Sequence, residues 1–451
     1  MAKTYDVIIV GAGPAGLNIA KACNENGLTV AVIESRGFGG TCPLRGCNPK
    51  KVLAHAANLI AQMDRLDGKG IRGTYQLDWQ DLMAFKRTFT EPVSKNTEAK
   101  LNKRGIATYC GKASFISKNE IQVHHEILKG KHIVIATGAK PAPLPIDGAE
   151  HLLYSDDFLE LEQLPKKLIF VGGGYIAFEF AHIAARAGSE VHIIQRGNHV
   201  LKQFDKGLTT MLVEASEKLG IQVHVNTEVI QIEKQAEGFI VKGKQEDEEV
   251  AWQAECVIHG AGRVPAIDTF ALEKANVAFD KKGIDVNEAL QSTSNPSVFA
   301  AGDVTNTEGL PLTPVAQLEA RIVSDAILNK RSPARSYFGS PAVVFTTPKL
   351  AMAGISVEAA EKEERYSLET FDLSNWFTYR YQNEETAFAK VVQDKETGVI
   401  VGAHLLSNQA DELINYFAMA IQLKLPIKDL QQVMYVYPTA TADLSSMLKL
   451  S

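Results

Sequence analysis

The chain has 451 residues, which at roughly 150 residues per domain predicts about three domains. Its 53 acidic against 47 basic side chains leave a formal charge of −6, which argues against nucleic acid as a partner, because such proteins show a basic surplus or a clustered basic stripe. The five cysteines, Cys23, Cys42, Cys47, Cys110 and Cys256, are too few and too scattered for a secreted disulfide framework, so a reducing cytoplasm is expected.

The apolar run Val7–Ala20 could pass for a signal sequence, but Gly11, Gly13, Pro14 and Gly16 interrupt it in nucleotide-binding spacing. No apolar span long enough for a membrane follows, so no membrane association is expected. Strand Tyr5–Val10, the turn Gly11-x-Gly13-x-x-Gly16, a helix to about Glu25 and a strand Thr29–Ile33 ending at Glu34 make up a dinucleotide fingerprint. Its glycines let backbone approach a pyrophosphate whose charge rests on the helix N-terminus.

Next comes Gly39-Gly40-Thr41-Cys42-Pro43-Leu44-Arg45-Gly46-Cys47-Asn48-Pro49-Lys50-Lys51. Residues five apart in a continuous helix, rising about 1.5 Å each, have Cα atoms beyond the roughly 7 Å that a disulfide tolerates. Cys42 is therefore predicted on a loop or distorted first turn, bent at Pro43 and Gly46, with a helix over Lys51–Met63. Cys47 then lies near a helix N-terminus, where the dipole favours a thiolate. On spacing alone, an accidental pair of core cysteines is the competing reading.

Ile133–Gly138 with the following prolines Pro141, Pro143 and Pro145 reads as a strand leaving the first domain. The fingerprint then recurs: strand Lys167–Val171, Gly172-x-Gly174-x-x-Ala177, a helix to about Ala187 and a strand Glu190–Ile194 ending at Gln195. In both copies the strand-end residue falls 21 positions beyond the middle glycine, close to the spacing of about 20 at which it reaches a ribose. Two bound dinucleotides are implied. Val257–Arg263 repeats the strand-end glycine pattern, Val298–Asp303 reads as a buried strand with an acid at its tip, and alternating runs after Ser340, among them Ala387–Gln393 and Val399–Leu406, predict an antiparallel sheet with helices. The expected class is α/β: two Rossmann-like dinucleotide-binding domains plus a C-terminal α+β domain. The expected boundaries are 1–147 and 265–335 for the two parts of the first dinucleotide-binding domain, 148–264 for the second and 336–451 for the C-terminal domain.

These motifs, with Ala301-Gly302-Asp303 and Leu312-Thr313-Pro314-Val315-Ala316, resemble over the whole length the class I pyridine nucleotide-disulfide oxidoreductases, the group of glutathione reductase, lipoamide dehydrogenase and mercuric reductase. Glutathione reductase is the most similar in detail. The resemblance implies FAD on the first fingerprint (1–147 with 265–335), a nicotinamide nucleotide on the second (148–264), a C-terminal α+β dimerisation domain (336–451) that forms a homodimer and completes the partner's site, and no metal site. It assigns the FAD ribose to Glu34, the ribityl chain to Asp303, the flavin-facing thiol to Cys47 and the substrate-attacking thiol to Cys42. Lys50 or Lys51 would lie near the flavin, paired with Glu179. Tyr175 would cover the flavin until nicotinamide displaces it, or is simply a packed aromatic. Gly40, Thr41, Thr137, Gly138, Gly262, Arg263, Gly302, Thr313 and Ala316 complete the implied cofactor contacts with the two fingerprints.

At the second strand end an acid would hold the 2′-OH of NAD and repel the phosphate of NADP. Neutral Gln195, followed by Arg196 and Lys202, predicts NADPH in preference to NADH, since a guanidinium matches phosphate geometry. Near the C-terminus the family's His-Pro-Thr is here Tyr437-Pro438-Thr439, with Ala442 where a glutamate belongs and Asp443 one residue late. A tyrosine of ordinary pKa about 10 donates a proton but is a poor base near neutrality, which favours reduction of a small-molecule disulfide. Tyr435 is the alternative donor, and a merely packed Tyr437 the bland one. Two other readings are a reductase of a non-disulfide acceptor (quinone, metal ion or oxidant) and a redox sensor with little turnover.

Overall fold

Both glycine turns lie where a buried parallel strand hands over to a helix, and around them the chain forms two units. The computed structural model describes residues 2–246, 248–331 and 335–448. The first unit takes in Met1–Pro49, Phe85–Ala142 and Arg263–Tyr337; the second takes in Lys50–Ala84, Pro143–Gly262 and Phe338–Ser451.

In the first unit the parallel strands run in the order Ala107–Cys110, Val30–Glu34, Lys3–Val10 and Glu126–Ile135, with Val298–Ala300 paired to Ile133–Ile135. Their cores are near-continuous apolar runs, as a sheet covered on both faces requires. Alternation sorts them by face: Val7 and Ile9 pack with Ile19 and Val134, whereas Ile8 and Val10 pack with Ile33, Phe115 and Ile135. The hairpin Ala113–Ser117/Glu120–Val123 extends the sheet antiparallel to the first half of Glu126–Ile135.

The second unit holds the parallel strands Ile221–His224, Glu190–Ile194, Lys167–Val171 and Cys256–His259, in that order, and a meander Thr227–Lys234, Phe239–Gln245, Glu248–Ala254. It also contains the antiparallel sheet predicted after Ser340: Ala342–Val344, Lys349–Gly354, Ile400–Ser407, Phe388–Asp394 and Tyr366–Asp372. Helix Ala410–Gln422 packs Leu413, Ile414, Phe417 and Ile421 with Ala351, Ala353, Ala389 and Ala403 of that sheet. The strand predicted from Thr29 begins one residue later, at Val30, and ends at Glu34 as expected. The stretch Ile133–Gly138 is strand only to Ile135, because Gly138 takes a φ of +68° that a strand does not accommodate. Among the described residues no helix is long and apolar enough to cross a membrane.

Within the second unit Glu384 is 4% exposed. Its Oε1 accepts from Asn408 N at 2.6 Å, while Oε2 has no hydrogen-bond partner among the described residues. Burial pushes its pKa up to about 7, against an ordinary value of about 4.3. The folded state then binds the proton more tightly than the unfolded chain, so stability falls as pH rises between those two values and is level above them. Glu384→Gln keeps the acceptor and removes the charge. Its thermal midpoint is expected to exceed that of the wild type at pH 8 and to converge with it towards pH 5; a midpoint difference independent of pH would contradict this.

Candidate active site

The first glycine turn is built by close backbone approach. Gly11 has φ +106°, and a Cβ there would lie 2.3 Å from Ala136 O. Gly40 has φ +73°, and its Cβ would lie 2.4 Å from Gly13 Cα. Helix Pro14–Glu25 starts at Gly13 with no side-chain cap, so its first N–H groups are left for an anion. Glu34, at the strand end, accepts from Ala12 N at 2.9 Å and Arg36 N at 2.8 Å. An uncapped helix end on a turn that only glycines can pack this closely, with an adjacent carboxylate, fits the pyrophosphate and ribose of FAD. The same unit places Asp303 beyond Gly302, whose φ is +81°. Burial raises the Asp303 carboxyl pKa, opposed by the charge of Arg263. A Cβ on Gly302 would sit 3.6 Å from Ala316 Cβ and 3.7 Å from Ala15 Cβ, between two helix starts. Thr137 donates to Ala266 O at 2.9 Å and Arg263 to Ala139 O, so both also lace the short pair Ala139–Pro141/Arg263–Pro265.

Of the two placements expected for Cys42, a loop or a distorted first turn, the structure shows the second: it lies in the first turn of a short helix, Thr41–Arg45. Gly46, at φ −145° and ψ −115°, breaks the chain before a second helix, Cys47–Arg65. A single continuous helix would have kept the thiols apart; a glycine break between two helices is the other solution, and Pro43 is accommodated inside the first turn of the short one. Helix Cys47–Arg65 therefore begins four residues before the predicted Lys51. Cys42 is half-buried and Cys47 exposed. Cys47 Sγ lies 3.9 Å from Thr313 Oγ1, which brings two of the sequence-selected residues together.

Of the two lysines, Lys50 pairs with Glu179, at 2.7 Å, with both side chains largely buried. Glu179 Oε1 also accepts from Phe345 N at 2.9 Å. Lys51 turns instead to Asp411 at 3.2 Å. The two ammonium groups share the Phe345 ring, with Nζ at 4.3 Å and 3.9 Å from its centroid. Phe345 was not legible as a site residue, because it lies 166 positions from Glu179 and belongs to no motif.

The second turn repeats the first. Gly172 has φ +106°, and a Cβ there would lie 2.5 Å from Gly260 O. Helix Tyr175–Arg186 begins at Gly174, again without a side-chain cap, and Ala177 is fully buried. Gln195 Oε1 accepts from Gly173 N at 2.9 Å, the counterpart of the Glu34 bond to Ala12. A Cβ built on Gly197 would lie 3.2 Å from Gln195 Nε2 and 3.5 Å from Lys202 Nζ, which puts amide and amine around one small space. Arg196, 81% exposed, points to Glu228 at 3.6 Å rather than to that space. Gly262 has φ +110°. Tyr175 stacks obliquely on Phe204, centroids 5.4 Å apart, and its hydroxyl donates to Gln203 at 3.4 Å. Burial, then the nearby Glu179 charge, raise its phenol pKa.

In the C-terminal segment Tyr437 is 78% exposed and Met434 96% exposed. Tyr435 packs on the core of the antiparallel sheet, and burial raises its pKa. Asp443 is also raised by burial, opposed by a bond from Thr378.

Residues 5–320 match the family model of the pyridine nucleotide-disulphide oxidoreductases, and residues 340–447 match their dimerisation domain. The chain belongs to that family and is an NAD(P)H-dependent flavoprotein oxidoreductase, so FAD and a pyridine nucleotide are its cofactors. It is 30% identical over 465 residues to a glutathione reductase of Schizosaccharomyces pombe, covering 99% of both chains. It is also 30% identical over 444 residues to a dihydrolipoyl dehydrogenase of Bacillus subtilis, covering 96% of this chain and 93% of that one. Among solved structures, the HOCl-induced flavoprotein disulfide reductase RclA from Escherichia coli superposes with a TM-score of 0.87 at 27% identity, over 99% of this chain and 100% of that one.

Proposed function

We propose that the protein uses NADPH to reduce a low-molecular-weight disulfide through Cys42 and Cys47. The observation that carries this reading is the pair of thiols on either side of Gly46, with Cys47 at the start of a long helix and beside Thr313. When bound, FAD supplies the two-electron relay between nicotinamide and the thiol pair. The Cys42 thiolate attacks one sulfur of the substrate disulfide, forming a mixed disulfide and releasing one thiolate, which takes up a proton. Cys47 then attacks Cys42 Sγ, expelling the second thiol and leaving a Cys42–Cys47 bond. Lys50, fixed by Glu179, places a cation for the reduced flavin ring, and Glu34 and Asp303 hold its ribose and ribityl chain.

Equal identity to a glutathione reductase and a dihydrolipoyl dehydrogenase leaves the acceptor to be argued from the residues. Tyr437 favours reduction: a phenol can protonate a leaving thiolate but takes a proton from a dithiol poorly near neutrality. Its exposure, with that of Val433, Met434 and Val436, supports a homodimer in which a second copy covers this segment. Gln195 and Lys202 around Gly197, with Arg196 one residue away, support NADPH.

Anaerobic NADPH reduction is expected to give a long-wavelength thiolate-to-flavin absorbance that Cys47→Ser abolishes, while Cys42→Ser is expected to retain flavin and to show that band without reduction. Unaltered disulfide turnover in both would refute the mechanism. Arg196→Ala is expected to lower kcat/KM for NADPH by one phosphate contact, roughly 1.5–3 kcal/mol, which the exposed guanidinium makes on turning from Glu228, with NADH little changed. Equal kcat/KM for the two nucleotides in the wild type would remove the preference. Tyr437→Phe is expected to slow disulfide reduction by about 10²- to 10⁴-fold and leave flavin reduction by NADPH intact. A Phe variant that turns over disulfide at the wild-type rate would transfer the proposal to a non-disulfide acceptor, which a panel of quinones, metal ions and oxidants then identifies.

A further inference from the structure

Glu319 is 1% exposed in the interior of helix Thr313–Ile327. A carboxylate is costly to bury and stays buried only where donors meet it. Three do. Its Oε2 accepts from Gly302 N at 2.6 Å, and its Oε1 accepts from Tyr337 Oη at 2.6 Å and Thr307 Oγ1 at 3.2 Å. The carbonyl of the same Gly302 accepts from Thr305 N at 3.0 Å and Thr305 Oγ1 at 2.9 Å. Both polar ends of Gly302 are thus held, in a conformation of positive φ that no neighbouring side chain enforces, and Asp303 follows directly. Burial leaves the Glu319 pKa raised, and the bonds from Tyr337, Gly302 and Thr307, with the Arg335 charge, oppose that rise.

We propose that Glu319 is a positioning residue for FAD: it fixes the Gly302–Asp303 turn against the flavin's ribityl chain, and Tyr337 and Thr307 hold Glu319 in turn. This rests on the reading of Asp303 as the ribityl contact. An ordinary packing role predicts a loss of fold stability; a positioning role predicts a loss of FAD affinity and a rise in flavin mobility.

The test is FAD release from the purified holoenzyme, read as recovered flavin fluorescence on serial dilution, alongside far-UV thermal unfolding. Glu319→Met removes the acceptors without changing length and is expected to raise the FAD Kd by roughly ten- to a hundred-fold, the loss of a hydrogen bond to a charged group, with the far-UV midpoint of the flavin-stripped protein unmoved. Glu319→Gln still accepts from Gly302 N, and its amide can donate to Tyr337 and Thr307, so its Kd is expected within about three-fold of the wild type. If the Met variant does not fold, Tyr337→Phe combined with Thr307→Val carries the test, because it leaves Glu319 with Gly302 alone and is expected to weaken FAD by about ten-fold. A wild-type Kd in Glu319→Met, or in the double variant where that one carries the test, overturns the proposal, as does an equal loss in Glu319→Met and Glu319→Gln. Asp303→Asn separates the two readings: weakened FAD there with wild-type affinity in Glu319→Met removes the Glu319 role alone, whereas unchanged FAD in Asp303→Asn removes the ribityl reading beneath it.

Discussion

The close approach of the Gly40 backbone to Gly13 is the constraint on which the first unit's chemistry depends. A single Cβ at Gly40 would fall 2.4 Å from Gly13 Cα, and because Thr41 and Cys42 follow at once, the cysteine helix is docked on the fingerprint turn by main-chain contact. No side chain has to bridge them. The turn itself is pressed on Ala136 by Gly11, so strand end, glycine turn and cysteine segment form one continuous backbone stack. Side chains then need only decorate it, as Glu34 and Asp303 do.

The two fingerprints show how one geometry serves two ligands. Glu34 and Gln195 occupy the same strand-end position, and each accepts from the residue between the first two glycines, at 2.9 Å in both cases. The hydrogen bond that orders the turn is therefore indifferent to charge, which leaves charge free to choose the ligand. An amide in place of a carboxylate keeps the fold and withdraws the repulsion that a phosphate would meet. Glu228 beside Arg196 complicates that field. It comes from the start of the meander, far along the chain from the strand end.

What the sequence could tell divides along the same line. Features that repeat at fixed spacing were legible: both strand–turn–helix–strand units, the buried strand Val298–Ala300, and the alternation that became Phe388–Asp394 and Ile400–Ser407. Each of these is a local pattern of burial, so period and turn chemistry report it directly. The distorted turn around Cys42 and the bend at Gly46 follow from the spacing, whereas the start of the long helix at Cys47 and not at Lys51 does not, because the first turn of a helix tolerates Pro49. Phe345, Glu228 and Glu319 were missed for a different reason. They reach the site through tertiary packing, as an aromatic, a surface acid and a mid-helix acid, residue types that in most settings are core or solvated face. The choice between Lys50 and Lys51 was also beyond reach, since only the buried position of Glu179 decides it.

The break at Gly46 gives the proposed redox bond a mechanical meaning. Cys42 and Cys47 belong to separate helices joined by one glycine in a non-helical conformation, so a bond between them would be a staple across the joint. Closing it restricts the two torsions of the most permissive residue in the segment; opening it returns that freedom. On that proposal the chemistry of the thiols would be coupled to the stiffness of the chain that carries them, and the reduced form would be the one whose short helix is free to yield.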